Sequence, residues 1–153
     1  MKENLLISHG EDQSLENLCA ESKSGVLLYF YPKDMTSGCT TQAEQFRDAH
    51  SWFESRGVSV IGVSRDSLVR HNKFIEKSGL TFPLIADVDE VLCKAFDVIQ
   101  EKSMYGRKYL GIVRSTFLLD REGNIVSQWR GVSIKTHLGE VQEAIEVWLN
   151  AGK

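Results

Sequence analysis

The chain has 153 residues, 42% of them apolar and 25% charged, with a formal net charge of −3 at pH 7. That length fits one domain, able to bury about two-thirds of its unfolded surface without disulfides or a structural metal. The slight acidity gives no overall attraction to nucleic acid or anionic lipid, and the longest apolar runs, about six residues, fall far short of the roughly 20 that cross a bilayer.

In chain order, the start MKENLLISHGEDQ turns charged after a short apolar stretch, unlike a secretion signal, so the expected compartment is the cytoplasm. Val26 to Tyr31 is β-branched, leucine and aromatic throughout, as in a strand buried on both faces. Thr40 to Arg56 carries Ala43, Phe46 and Phe53 on a helical period, with Thr41 and Glu44 spaced as a capping box. Val58 to Ser64 reads as a second buried strand after a turn glycine. A helix over Ser67 to Lys77 follows, with Asp66 as its cap and Gly79 as its stop.

FPLIAD is then a short extended piece, and Asp89 to Val98 a short helix holding Cys93. VRSTFLLDREGNIVSQWRG reads as an antiparallel hairpin turning at DREGN. His137 to Asn150 places Leu138, Val141, Ile145 and Trp148 on one helical face. Strand–helix–strand–helix order implies parallel pairing. The whole order resembles a thioredoxin-like α/β fold, a mixed central sheet flanked by helices, with residues 1–153 as a single domain.

Three cysteines, Cys19, Cys39 and Cys93, are too few and too scattered for a disulfide framework, and no CxxC is present. The four histidines lack metal-ligand spacing and read as solvated or helix-face residues, so neither a metal nor a cofactor is expected. Cys19 and Cys93 sit on apolar, helix-like stretches and read as structural thiols, with a resolving role for either requiring a loop to move. Cys39 differs. In YPKDMTSGCT it follows a strand, opens a helix and has small polar neighbours, at the carboxyl edge of the sheet where α/β folds house chemistry. Unpaired N–H groups and the positive helix end there favour a thiolate. Thr36 supplies a hydroxyl for the helix cap or a bound oxygen, and Pro32 fixes the loop's entry.

Pro32-x-x-x-Thr36-x-x-Cys39 resembles the active-site signature of the peroxiredoxins. LLYFYPKDMTSGCTTQAEQFRD and EKSMYGRKYLGIVRSTFLLDREG are similar to the bacterioferritin comigratory protein, or peroxiredoxin Q, branch. The resemblance implies a thiol peroxidase acting on hydrogen peroxide and organic hydroperoxides. Cys39 is then the nucleophile, Thr36 and Arg114 position the peroxide, and Pro32 shields the site. It also implies thioredoxin or another thiol as reductant, and the chain is expected to be a monomer or weak homodimer. Arg114, read as lying within a strand, needs an anion or water for its guanidinium.

Acidity of the thiol does not by itself give a fast peroxidase. Lowering any thiol from about 8.5 to about 5.5–6 raises its thiolate fraction at pH 7 about 30-fold. A Brønsted slope of about 0.4–0.5 gives nearly all of that back in nucleophilicity. The rate must come from aligning the O–O bond and stabilising charge on the leaving oxygen.

The sequence departs from the branch pattern at several points. Its resolving-cysteine positions hold Glu44 and, near the second, Ile75, which resembles a one-cysteine variant reduced by an outside thiol. Ser37 replaces the usual proline, and the N-terminal APDF-like segment is missing. A redox sensor with little turnover is the alternative function. The basic stretch with Lys102, Tyr105, Arg107, Lys108 and Tyr109 reads as a solvated connection rather than a nucleic-acid site.

Overall fold

The computed structural model describes residues 2–152. Strands β1 (Leu6–Ile7), β2 (Gly25–Phe30), β3 (Val58–Ser64), β4 (Leu84–Ala86), β7 (Ser115–Asp120) and β8 (Ile125–Arg130) form one sheet in the order β1-β4-β3-β2-β7-β8. β2, β3 and β4 are mutually parallel neighbours, whereas β1, β7 and β8 pair antiparallel. Helices α1 (Leu15–Glu21), α2 (Ser37–Asp48), α3 (His50–Ser55), α4 (Leu68–Ser78), α5 (Val91–Ala95) and α6 (Ile134–Ala151) flank it. This is the thioredoxin-like α/β arrangement expected from the order of periodic segments.

The sheet separates two cores. Side chains alternate across a strand, and along β2 Val26, Leu28 and Phe30 pack with Leu15, Cys19, Leu92 and Cys93. Leu27 and Tyr29 face the other way, with Cys39, Phe46, Phe53, Phe74 and Ile145. Every residue of β2 is buried. Each large side chain so placed is worth about 1.5–3 kcal/mol of transfer free energy.

Several local expectations change. The helix expected over Thr40 to Arg56 starts at Ser37 and breaks at Ala49, where φ is −95° and ψ 5°. Phe46 and Phe53 still meet across the break, ring centroids 5.9 Å apart. No capping box forms: Thr41 Oγ1 donates back to Ser37 O at 3.0 Å, and Glu44 lies 3.7 Å from Arg47. α4 is capped by Ser67, whose Oγ accepts from Arg70 N, rather than by Asp66. Gly79 closes it in the left-handed region, φ 62°, as expected.

Three segments add to the expected order. β1 and α1 occupy the N-terminal stretch, and Lys102 to Tyr109 belongs to an antiparallel ribbon, β5 (Ile99–Met104) with β6 (Arg107–Ile112). Tyr105 and Gly106 turn it with φ of 53° and 76°, the two left-handed positions of a type I′ hairpin. His71 and His137 are buried, not solvated, and each has hydrogen-bond partners.

Candidate active site

Topology brings the site together. β7 runs antiparallel to β2 with Ser115 opposite Phe30, so the residue before β7 arrives at the carboxyl edge of β2, where the cysteine loop departs. That residue is Arg114, in the two-residue link between β6 and β7 rather than inside a strand as expected. Its backbone is fixed by Val132 N, which donates to Arg114 O at 2.9 Å.

Cys39 is the third residue of α2 and only 2% exposed, so the sulfur is buried rather than presented in an open polar turn. Its polar partner comes from across the sheet edge. Arg114 Nη2 lies 3.4 Å from Cys39 Sγ, and Nη1 donates at 2.7 Å to Gln42 Oε1. The first bond of α2 runs from Thr40 N to Thr36 O at 2.9 Å. The N–H groups of Ser37, Gly38 and Cys39 therefore precede the helical ladder, where an anion is favoured.

Thr36 occupies the N-cap with extended backbone, but its hydroxyl makes no capping bond. It donates instead to Lys33 O at 3.0 Å, within its own loop. Pro32 is half-buried at the point where the chain leaves the sheet, next to Tyr31, whose N–H still donates to Val63 O at 3.0 Å. Pro32, Thr36, Cys39 and Arg114 thus all lie at one sheet edge. A cleft of about 510 Å³, lined by residues that include Lys23, His50, Glu54 and Ser59, includes neither Cys39 nor Arg114.

Sequence reasoning missed three neighbours of this site. Gln42, one helical turn after Cys39, is buried and orients the guanidinium. The i,i+3 spacing was the signal available. Tyr29 is fully buried, and Gly62 gives its ring space, because a Cβ there would come within 3.0 Å of it. Burial first, then the charge of Cys39, pushes the Tyr29 phenol well above its ordinary range, so it stays protonated. Tyr29 Oη and Gln42 Nε2 are the buried side-chain polar atoms left without a partner among the described residues. Lys102, on the ribbon, donates to Ile112 O. Burial and the nearby Arg114 hold its ammonium below its ordinary value, with Cys39 acting in the opposite sense.

The other two thiols lie across the sheet. Cys19 and Cys93 are both buried in the core opposite to that of Cys39. Burial pushes Cys19 up to about 11. It pushes Cys93 up further, assisted by a hydrogen bond with Asp87.

Residues 4–128 match the family described as AhpC/TSA. The chain belongs to the AhpC/TSA family. It is 46% identical over 142 residues to peroxiredoxin Bcp of Xanthomonas campestris, covering 93% of this chain and 87% of that relative. Peroxiredoxin Bcp of Bacillus subtilis is 45% identical over 138 residues, covering 90% and 86%. A solved structure of the X. campestris bacterioferritin comigratory protein superposes with a TM-score of 0.86 at 44% identity, covering 95% of this chain and 90% of that one. BcpB of Mycobacterium tuberculosis gives 0.82 at 25% identity, covering 96% and 93%. The peroxiredoxin resemblance of the sequence is therefore correct for this family member.

Proposed function

We propose that this AhpC/TSA family protein is a thiol-dependent peroxidase that reduces hydrogen peroxide and organic hydroperoxides through Cys39. The observation that carries the reading is the guanidinium of Arg114 3.4 Å from the sulfur, at the opening turn of a helix. The X. campestris relative is described for alkyl peroxide reduction, which supports the same class of substrate here. The Cys39 thiolate attacks one oxygen of ROOH, the S–O bond forms as O–O breaks, and RO⁻ leaves to take up a proton. Arg114 serves as counter-charge to the sulfur and then to the departing oxygen. Thr36 and the open N–H groups of α2 line the approach, and Pro32 shields the loop.

The sulfenic acid is returned to thiol by an outside thiol. A first reductant thiol displaces water to form a mixed disulfide, and a second releases Cys39. Thioredoxin or a glutathione-type thiol fits that role, because Cys19 and Cys93 lie behind the sheet. The reading places the protein in the cytoplasm as a monomer or weak homodimer. Peroxide consumption by wild type and Cys39→Ser with thioredoxin or glutathione tests it. Repeated turnover in wild type and none in the variant is expected. A single turnover per Cys39 with every thiol supplied would favour the redox sensor, and unchanged consumption by Cys39→Ser would overturn the assignment.

A further inference from the structure

The loop that carries the site, Pro32 to Thr36, is tied at Asp34 by hydrogen bonds to Asp66 and to α4, while Met35 packs against the core that holds Cys39. Asp34 is buried, with 1% exposure, and each of its polar groups has its own partner residue, two of them on α4. Its N–H donates to Asp66 Oδ2 at 2.8 Å, and its carbonyl faces Arg70 Nη2 at 3.4 Å. Tyr31 Oη donates to Oδ1 at 2.5 Å, and His71 Nδ1 meets Oδ2 at 2.7 Å. His71, on α4, has no exposure, and its Nε2 lies 2.8 Å from Ile85 O, the middle residue of β4.

These contacts fix where the protons are. A carbonyl only accepts, so Nε2 carries hydrogen and donates to Ile85. A carboxylate oxygen and an imidazole nitrogen at 2.7 Å repel unless a proton lies between them. One proton is therefore shared by Asp34 and His71. Whichever holds it, the pair is neutral overall and every polar atom is satisfied, the condition under which such a pair survives burial.

The next residue explains what the clamp is for. Met35 has φ 64°, the left-handed region that non-glycine residues seldom occupy. Strain of that kind persists where the surroundings over-determine it, and here it lies directly before Thr36 and α2. Releasing Asp34 lets Met35 relax, and with it the first turn of α2, which sets the position of Cys39 against Arg114.

We propose that His71 is a positioning residue for the Cys39 site, acting through Asp34 to hold the Pro32–Thr36 loop in its strained form. Neither residue touches the sulfur, and His71 was expected to be solvated or merely on a helix face. The inference rests on Cys39 being the reacting thiol, so its test uses two readouts. The first is the second-order rate constant with hydrogen peroxide. The second is alkylation of Cys39 by iodoacetamide at pH 7, which needs no peroxidase activity.

His71→Asn keeps a donor where Nδ1 stood and preserves the bond to Asp34; His71→Leu removes it. The peroxide rate constant of His71→Leu is expected to fall by about tenfold or more, with alkylation slowed, while His71→Asn stays within about threefold of wild type. Circular dichroism at the assay temperature establishes that each variant is folded. If His71→Leu does not fold, Asp34→Asn against Asp34→Leu asks the same question, the amide retaining both side-chain bonds. Equal rates for the two members of the folded pair, whether both high or both low, overturn the clamp. A wild type that alkylates at Cys39 yet consumes no peroxide overturns the peroxidase reading instead, and alkylation still decides the role of His71.

Discussion

Arg114 is fixed at both ends of its guanidinium: one nitrogen faces Cys39 Sγ at 3.4 Å and the other donates to Gln42 Oε1 at 2.7 Å. A charged donor paired with a buried amide oxygen makes one of the stronger hydrogen bonds, about 1.5–3 kcal/mol. Arg114→Ala is therefore expected to lower the peroxide rate constant by at least about a hundredfold, about 2.7 kcal/mol of transition-state stabilisation. A fall of less than about fivefold contradicts its role. Gln42→Leu removes the acceptor and is expected to cost about tenfold, whereas Gln42→Glu, which still accepts, recovers most of the rate. Stopped-flow measurement on the three variants checks both statements. Pro32, Thr36 and Cys39 form a spaced pattern in sequence, and Arg114 was singled out through the resemblance to the peroxiredoxins; the fold brings the four to one sheet edge. Gln42 and Tyr29 were not legible, since a glutamine within TTQAEQ or a tyrosine within LLYFY carries no mark of what it will face.

At the scale of elements, α6 adds an acid-sensitive contact. His137 lies 2% exposed, with Nε2 2.7 Å from Thr116 Oγ1 on β7, and edge-on to Phe46 and Trp129. Burial pulls its imidazole from 6.5 down to about 4, so the fold favours the neutral ring. The stabilisation is complete above pH 6.5 and is lost as pH falls through about 4. Between pH 7 and about pH 3.5 wild type is expected to lose about 3 kcal/mol more stability in urea unfolding than His137→Gln. Parallel pH curves for the two proteins contradict this. Asp66 and Asp120, both held below the usual carboxylate range, lose stability in the same direction but in both proteins alike.

Elements with a buried face were readable and those without were not. β2 declared itself by an unbroken apolar run, β3 by a mostly apolar run after a turn glycine, and α6 by Leu138, Val141, Ile145 and Trp148 on one period. The β5–β6 ribbon is exposed or half-buried over nearly all its length, so it shows no apolar alternation and reads in sequence as a solvated connection. β1 is two residues long and gains its place by pairing with β4, a contact that no local pattern encodes. The cap of α2 was misplaced for a related reason. Thr41-x-x-Glu44 has capping-box spacing, yet the chain already turns helical at Ser37 because the loop is anchored upstream at Asp34.

Over the whole molecule, the sheet divides the chemistry from the remaining thiols. Cys39 packs on one face with Tyr29 and Phe46, and Cys19 and Cys93 on the other with Val26 and Leu28. An intramolecular disulfide therefore requires the packing around the sheet to open. The most direct measurement is the intact mass and peptide map of the protein after one equivalent of hydrogen peroxide with no reductant present. The account predicts one added oxygen, located on Cys39 and reversed by added thiol. Loss of two hydrogens with a Cys39–Cys93 or Cys39–Cys19 crosslink, or oxygen placed elsewhere while Cys39 remains a free thiol, would contradict it.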